Sequence, residues 1–336
     1  MLEPPDLADE VIVSTLHEKY GIRVGGLAFL PVGNDSESWA YRIDATDGTT
    51  YFLKVRSVMD QMAGLVVPRH LQDRGVPHIV GPLRTGGESL SANADGFALI
   101  VYPFIMGSMG ADVGLSANEW RTLGFALRQV HDIRLTPNLE RELRVESFTL
   151  NRRALIPDLE AALATRTSSD PAAAELARFW QARREEIRLL VHRADALARR
   201  LEGESLPLSL CHADLHTWNV LIDGHQLWIV DWDETILAPK ERDLMFVVGG
   251  IAPGLVRPKD TAAFLQGYGE ASINPVALVY YRYAWAVQDI AAFGEQVLLL
   301  PSMGQKSRLA AVQDFKKLFQ PGHIVQLARA SDGIIA

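Results

Sequence analysis

Between Leu208 and Glu234 the chain reads LSLCHADLHTWNVLIDGHQLWIVDWDE, and its oxygen-bearing side chains fall at Asp214, Asn219 and Asp231. An apolar run ending at Cys211 leads into a polar loop, 212–219. Two short strands, 220–222 and about 226–230, are joined through Asp223-Gly224, a turn signal that folds such segments into a hairpin. The hairpin carries Asn219 back toward Asp231, so three donors distant in sequence converge. That set suits phosphoryl transfer, which needs a carboxylate beside the attacking hydroxyl and oxygen ligands for a cation on the nucleotide phosphates. Asp214 is placed to orient the hydroxyl and accept its proton, while Asn219 and Asp231 offer the hard oxygens that Mg²⁺ favours. A rival reading of His212, Asp214 and His216 as a transition-metal site leaves Asn219 and Asp231 without a task. His212 is read as a brace for the loop, and His216 as either a loop-surface residue or a substrate contact. Cys211 is read as a small buried side chain.

The elements that must position this segment give an α+β chain. Leu7, Val11, Ile12 and Leu16 predict a helix over 6–20, stopped by Gly21. Strands are expected at 25–32, 38–44 and 50–56, the last two joined through Asp47-Gly48, and further strands at 79–84 and 97–102. A helix over about 59–73 is expected to kink or split at Pro68. Pro103 ends ladder pairing, and Gly107 and Gly110 extend an irregular connector to about 115. Ser116 and Glu119 form a capping box for the next helix, and Asp170-Pro171 opens a longer one. From about 260 the chain is expected to be mostly helical.

With 336 residues, about two lobes are expected. Apolar residues make up 48% and charged residues 22%, which fits a folded chain. The formal net charge of −8 argues against nonspecific nucleic-acid binding and suits a cationic substrate. No run approaches the roughly 20 apolar residues of a membrane span. An acidic start without a signal pattern and a single cysteine point to the cytoplasm. Asp233 and Glu234 lie close enough to Asp231 to contact a cationic substrate. Glu241 is read as an acid at a helix N-terminus. Trp285 and Asp289 are one helical turn apart and share a face, as a substrate wall or as core packing.

The pattern His212-x-Asp214-x-x-x-x-Asn219 followed by Val230-Asp231-Trp232-Asp233 resembles the aminoglycoside phosphotransferase and choline kinase-like family, a branch of the protein-kinase fold. Tyr102–Ile105, Asp231–Phe246 and Gln266–Gly269 are similar to the members that act on spectinomycin. The resemblance implies a bilobal fold: a nucleotide-binding lobe over 1–102, a hinge and connector over 103–115, and a catalytic and substrate-binding lobe over 116–336. It implies ATP as donor, with GTP an open alternative, Mg²⁺, and a cationic aminocyclitol or aminoglycoside as acceptor, spectinomycin first. Lys54 matches the strand lysine that contacts nucleotide phosphates. Gly33–Ser38 matches the loop over those phosphates; it holds one glycine, so Ser36 or Ser38 is expected to donate there. Tyr102, Pro103, Phe104 and Ile105 match the hinge that receives adenine. One departure stands out: the expected helix over 59–73 holds no glutamate to pair with Lys54, and its acids are Asp60 and Asp73. Two other readings remain, a kinase of a choline-like metabolite and a non-catalytic nucleotide-binding module. Oligomeric state is not legible.

Overall fold

The structure, a computed structural model, describes residues 3–33, 35, 37–57, 62–150, 152–165, 170–300 and 303–336. In chain order its elements are α1 (Asp9–Tyr20), β1 (Val24–Leu30), β2 (Ser38–Ala45), β3 (Thr50–Arg56), α2 (Ala63–Asp73), β4 (Ala92–Ala94), β5 (Phe97–Pro103), β6 (Ser108–Met109), α3 (Gly110–Val113), α4 (Ala117–His131), α5 (Pro137–Glu142), α6 (Leu155–Thr165), α7 (Pro171–Leu201), β7 (Ser209–Cys211), β8 (Val220–Asp223), β9 (Gln226–Ile229), β10 (Ile236–Ala238), α8 (Glu241–Val247), α9 (Pro258–Tyr268), α10 (Pro275–Leu298), α11 (Gln305–Lys317) and α12 (Ile324–Ala330). The architecture is α+β, with an antiparallel sheet early and helices late. The chain forms two compact units: Met1–Arg144 with His212–Thr235, and Val145–Cys211 with Ile236–Ala336.

In the first unit the sheet order is β1-β2-β3-β5-β4, antiparallel throughout. Alternation along β3 sends Leu53 and Val55 to one face, where they join Ile12 and Leu16 of α1 with Ile43, Leu99 and Val101. The opposite face carries Lys54 and Arg56, and there Leu65 of α2 packs on Ile100 and Tyr102. Helix α1 starts three residues later than its apolar spacing suggests, because Ala8 is still extended; Gly21 ends it at φ 70°. Helix α2 continues through Pro68 without a break. The i−4 carbonyl that Pro68 cannot satisfy belongs to Gly64, in the first turn, so little of the ladder is lost. Residues 58–61, where that helix was expected to start, lie outside the described residues.

The strand expected over 79–84 is absent. Pro82 lacks an N–H, Gly81 donates its own to Gln72 Oε1, and pairing shrinks to the Ile79–Ile229 bridge and the Leu83 N–Val101 O bond. The sheet edge goes instead to β4, unforeseen because Ala-Asn-Ala carries no β-branched or aromatic side chain. The connector after β5 also has more order than expected. Strand β6 pairs with β8, Ser108 opposite Ile222 and Met109 opposite Leu221. A Cβ on Gly107 would lie 2.5 Å from the Ile222 carbonyl oxygen, so this approach requires glycine. Helix α4 begins with the expected capping box, Ser116 and Glu119 exchanging both bonds.

In the second unit α7 opens at Pro171, capped by the Asp170 side chain on Ala172 and Ala173, and its apolar face, including Leu176, Trp180 and Ile187, is buried. Helix α10 is buried around most of its circumference, which makes it the hydrophobic axis of this unit. Strands β7 and β10 pair antiparallel, Cys211 opposite Ile236. Helix α6 and strand β10 were not foreseen, since neither carries a start signal of the strength seen at Ser116 or Asp170. Among the described residues no helix is long and apolar enough to cross a membrane.

Candidate active site

Asp214, Asn219, Asp231 and Lys54 all lie in the first unit, the first three on the segment 212–235. Strands β8 and β9 pair from Val220–Ile229 to Asp223–Gln226 around a turn with Gly224 at φ 59°. At the open end of the hairpin the Val230 N–H donates to the Asn219 carbonyl at 3.0 Å. That bond sets Asn219 beside the residue that precedes Asp231. The expected convergence is therefore built by main chain.

His212 braces the loop from within. It is fully buried, its Nε2 lies 2.9 Å from the Val230 carbonyl oxygen, and its Nδ1 accepts from the Asp214 N–H at 3.2 Å. Both contacts are met by the tautomer with its proton on Nε2. The ring also lies 4.6 Å from that of Trp232. Two non-glycine residues in this segment adopt left-handed backbone, Ala213 at φ 67° and Asp231 at φ 62°. Each such residue costs on the order of 1–3 kcal/mol and persists where its surroundings over-determine it. These two immediately precede and directly supply the proposed reacting groups.

The Asp214 carboxylate accepts a hydrogen bond on Oδ2, while its buried Oδ1 accepts none and faces the His216 ring. Asn219 Nδ2 donates to Oδ2 at 2.9 Å and to the Asp214 carbonyl oxygen at 2.9 Å. His216 Nε2 lies 3.1 Å from Oδ1. Burial disfavours the His216 imidazolium, but Asp214, with help from Asp231, outweighs burial and raises its pKa above the ordinary histidine value. The Asn219 amide group spends its N–H bonds on Asp214, leaving Oδ1 as the atom available to a cation. Asp231 engages Lys54 through Oδ1, leaving Oδ2. A carboxylate oxygen and an amide oxygen fit a hard cation such as Mg²⁺, which completes its shell with water and phosphate oxygens.

Lys54 finds its acids in this same segment. Its Nζ lies 2.9 Å from Asp231 Oδ1 and 2.6 Å from Asp233 Oδ2, and Arg56 Nη1 reaches the same Asp233 oxygen at 2.7 Å. Burial alone would lower the lysine pKa; the two carboxylates more than offset it and raise it. Partial desolvation pushes the half-exposed Asp231 carboxyl up, yet the Lys54 ammonium prevails and holds it below the usual carboxylate range. Asp73 is taken by Arg69 at 2.5 Å and Arg84 at 3.1 Å, and Asp60 lies outside the described residues. Helix α2 instead presents Gly64 to this corner. A Cβ there would lie 3.0 Å from Asp233 Cα and 3.3 Å from the Trp232 carbonyl oxygen.

Gly33 is exposed at φ 84°, Ser38 opens β2 opposite Arg56, and Ser36 lies outside the described residues. Tyr102 and Pro103 close β5, Phe104 donates its N–H to Thr50 O at 3.3 Å, and Ile105 begins the irregular stretch. Glu234 pairs with Arg144 at 3.2 Å. Trp285 and Asp289 lie on α10 in the second unit. The Trp285 ring is buried 4.9 Å from Phe246 with the Arg242 guanidinium 5.4 Å from its centroid, and Asp289 is half-buried. Glu241 begins α8 and accepts the Asn274 N–H at 2.8 Å. Sequence reasoning missed Arg56 and Gly64. The first was signalled by its place two residues beyond Lys54 on a strand, hence on the same face; the second carried no signal.

Residues 29–284 match the model of the phosphotransferase enzyme family. The chain is similar to a spectinomycin phosphotransferase whose crystal structure holds ADP and spectinomycin, at 31% identity and TM-score 0.87, covering 98% of this chain and 99% of that one. It shares its fold with an amicoumacin kinase in complex with AMP-PNP and Ca²⁺, at 16% identity and TM-score 0.62, covering 95% and 97% of the two chains. A macrolide 2′-phosphotransferase from Brachybacterium faecium shares the fold at 19% identity and TM-score 0.51, covering 93% and 98%. No curated protein sequence matches the chain.

Proposed function

The chain belongs to the phosphotransferase enzyme family and is an ATP-dependent small-molecule kinase, and from that premise we propose that it phosphorylates a hydroxyl of a cationic aminocyclitol, spectinomycin first. The observation that carries this reading is the shared frame of Asp214, Asn219 and Asp231, with Lys54 on Asp231, in a chain 31% identical along 98% of its length to a spectinomycin phosphotransferase.

In this reading residues 1–102 bind nucleotide, 103–115 form the hinge, and 116–336 carry catalysis and acceptor binding. Tyr102–Ile105 receive adenine, Gly33, Ser36 and Ser38 cover the phosphates, and Lys54 contacts them as a point charge. Asn219 and Asp231 hold Mg²⁺, which neutralises phosphate charge when bound. Asp214 orients the acceptor hydroxyl and takes its proton, held in place by Asn219 and His216. Glu234 and His216 flank the acceptor, and Trp285 with Asp289 contribute from α10. The Asp233 carboxylate is already shared by Lys54 and Arg56. The setting is cytoplasmic.

The test is a coupled ADP-release assay with purified protein, ATP and Mg²⁺, offering spectinomycin, other aminocyclitols and aminoglycosides, and choline or ethanolamine. Turnover with spectinomycin is expected. Turnover only with an amino alcohol overturns the acceptor and keeps the chemistry. Nucleotide binding without turnover on any acceptor overturns both.

A further inference from the structure

The kinase pattern supplies the phosphate-binding lysine with a helix glutamate, and the described part of α2 has none. In its place Asp233 comes within 2.6 Å of Lys54 Nζ, from a segment against which only Gly64 of the helix fits. Two carboxylates on one lysine would leave an excess negative charge where phosphate is to bind. Arg56 prevents that. It lies two residues beyond Lys54 on β3, on the same face, opposite Ser38 at the start of β2, and its Nη1 takes the same Asp233 oxygen at 2.7 Å. Its other terminal nitrogen stands 3.7 Å from Asp35, in the turn between β1 and β2.

We propose that Arg56 is a positioning residue of the nucleotide site: by sharing Asp233 it lets that carboxylate anchor Lys54 while leaving the lysine charge available to the nucleotide phosphates. The charge count makes the role specific. Among the four side chains in close contact Lys54 and Arg56 balance Asp231 and Asp233; without Arg56 the corner is one charge more negative toward an anionic ligand, the more distant Asp35 being common to parent and variant. This role rests on the nucleotide being bound at Lys54, and it is independent of which acceptor is used.

The decisive measurement is calorimetric binding of ADP in EDTA, beside the steady-state KM for ATP in Mg²⁺. One uncompensated charge a few ångströms beyond the phosphates, at an effective dielectric near 20, corresponds to a loss of about 10-fold or more. Arg56→Met is therefore expected to weaken metal-free ADP binding by about 10-fold or more and to raise the ATP KM, with the acceptor KM unchanged. Arg56→Lys, which keeps the charge, is expected to recover most of that loss. The double variant Arg56→Met/Asp233→Asn restores the parent's net charge at this corner and is expected to bind metal-free ADP within about 3-fold of the parent. Its kcat stays low because Lys54 has lost its anchor. A purely structural role for Arg56 would make the double variant no better than the single one, and that result overturns the proposal. So does an Arg56→Met protein with unchanged ADP affinity, or a parent protein that binds no ADP. Failure of spectinomycin as acceptor leaves the ADP readout intact and counts only against the acceptor assignment.

Discussion

Lys54→Met keeps the length of the side chain and removes only its ammonium. Two carboxylates lose a partner, and their surroundings decide the consequence. Stranding a fully buried charge costs roughly 3–5 kcal/mol. Asp233 is not stranded, because Arg56 remains 2.7 Å away. The Asp231 side chain is 45% exposed, so water takes up its charge. Its lost partner counts as an exposed pair, worth up to about 1 kcal/mol. With the Lys54 stem still packed by methionine, the total destabilisation is about 1–2 kcal/mol, a melting-temperature fall of roughly 2–8 °C for a unit of this size. The functional loss is larger. A hydrogen bond between ammonium and phosphate is worth roughly 1.5–3 kcal/mol, so kcat/KM for ATP is expected to fall about 10- to 150-fold. Scanning calorimetry and steady-state kinetics on one preparation read both quantities. A melting temperature lower by more than about 15 °C would make this cluster a keystone of the fold and refute the partition. A kcat/KM within about 3-fold of the parent would refute the phosphate contact.

Asp214→Ala is expected to lower kcat by about 10²–10⁴-fold with circular dichroism unchanged; near-normal kcat would remove Asp214 as the base. His216 has a folded pKa above its ordinary value, because Asp214 and Asp231 outweigh burial. The stability from this pair is therefore fully present below the unfolded histidine pKa and is lost as pH rises through the higher folded value. Urea midpoints at acidic and alkaline pH should show that loss, and His216→Gln should abolish it; an unchanged pH dependence in the variant contradicts the pairing. Gly107→Ala places a Cβ 2.5 Å from the Ile222 carbonyl oxygen and is expected to destabilise the β6–β8 pairing by about 1–3 kcal/mol, read as a lower melting temperature.

The catalytic loop and its hairpin were legible because their signals are local: a polar loop, an Asp-Gly turn and strands of alternating side chains. The same holds for α4 and α7, whose caps lie within three residues of their starts. The edge strand β4 was not legible, since Ala-Asn-Ala becomes a strand only by lying against β5. Pro68 was read as a break because propensity cannot show that its orphaned carbonyl falls in the first turn. The partner of Lys54 was the largest gap. Asp233 is 179 residues away, and its selection depends on Gly64 admitting backbone contact, which no local pattern encodes. Proximity to Asp231 is all that local sequence offers for Asp233, whereas its contacts with Lys54 and Arg56 come from a distant strand.

The first unit is assembled from two stretches, Met1–Arg144 and His212–Thr235, separated by residues that belong to the second. A ribosome that has released the first stretch has made β3 with Lys54 and Arg56 but none of the acids at Asp231 and Asp233. Strand β6 then also lacks β8, its only ladder partner among the described residues. Synthesis generally lets a contiguous domain close before the next begins, yet here closure waits for at least 91 further residues, from 145 to 235. A nascent chain halted before 231 would carry Lys54 without either of its acids, and Arg56 with Asp35 but without Asp233. It would be a natural substrate for chaperones and proteases before it could ever be a kinase.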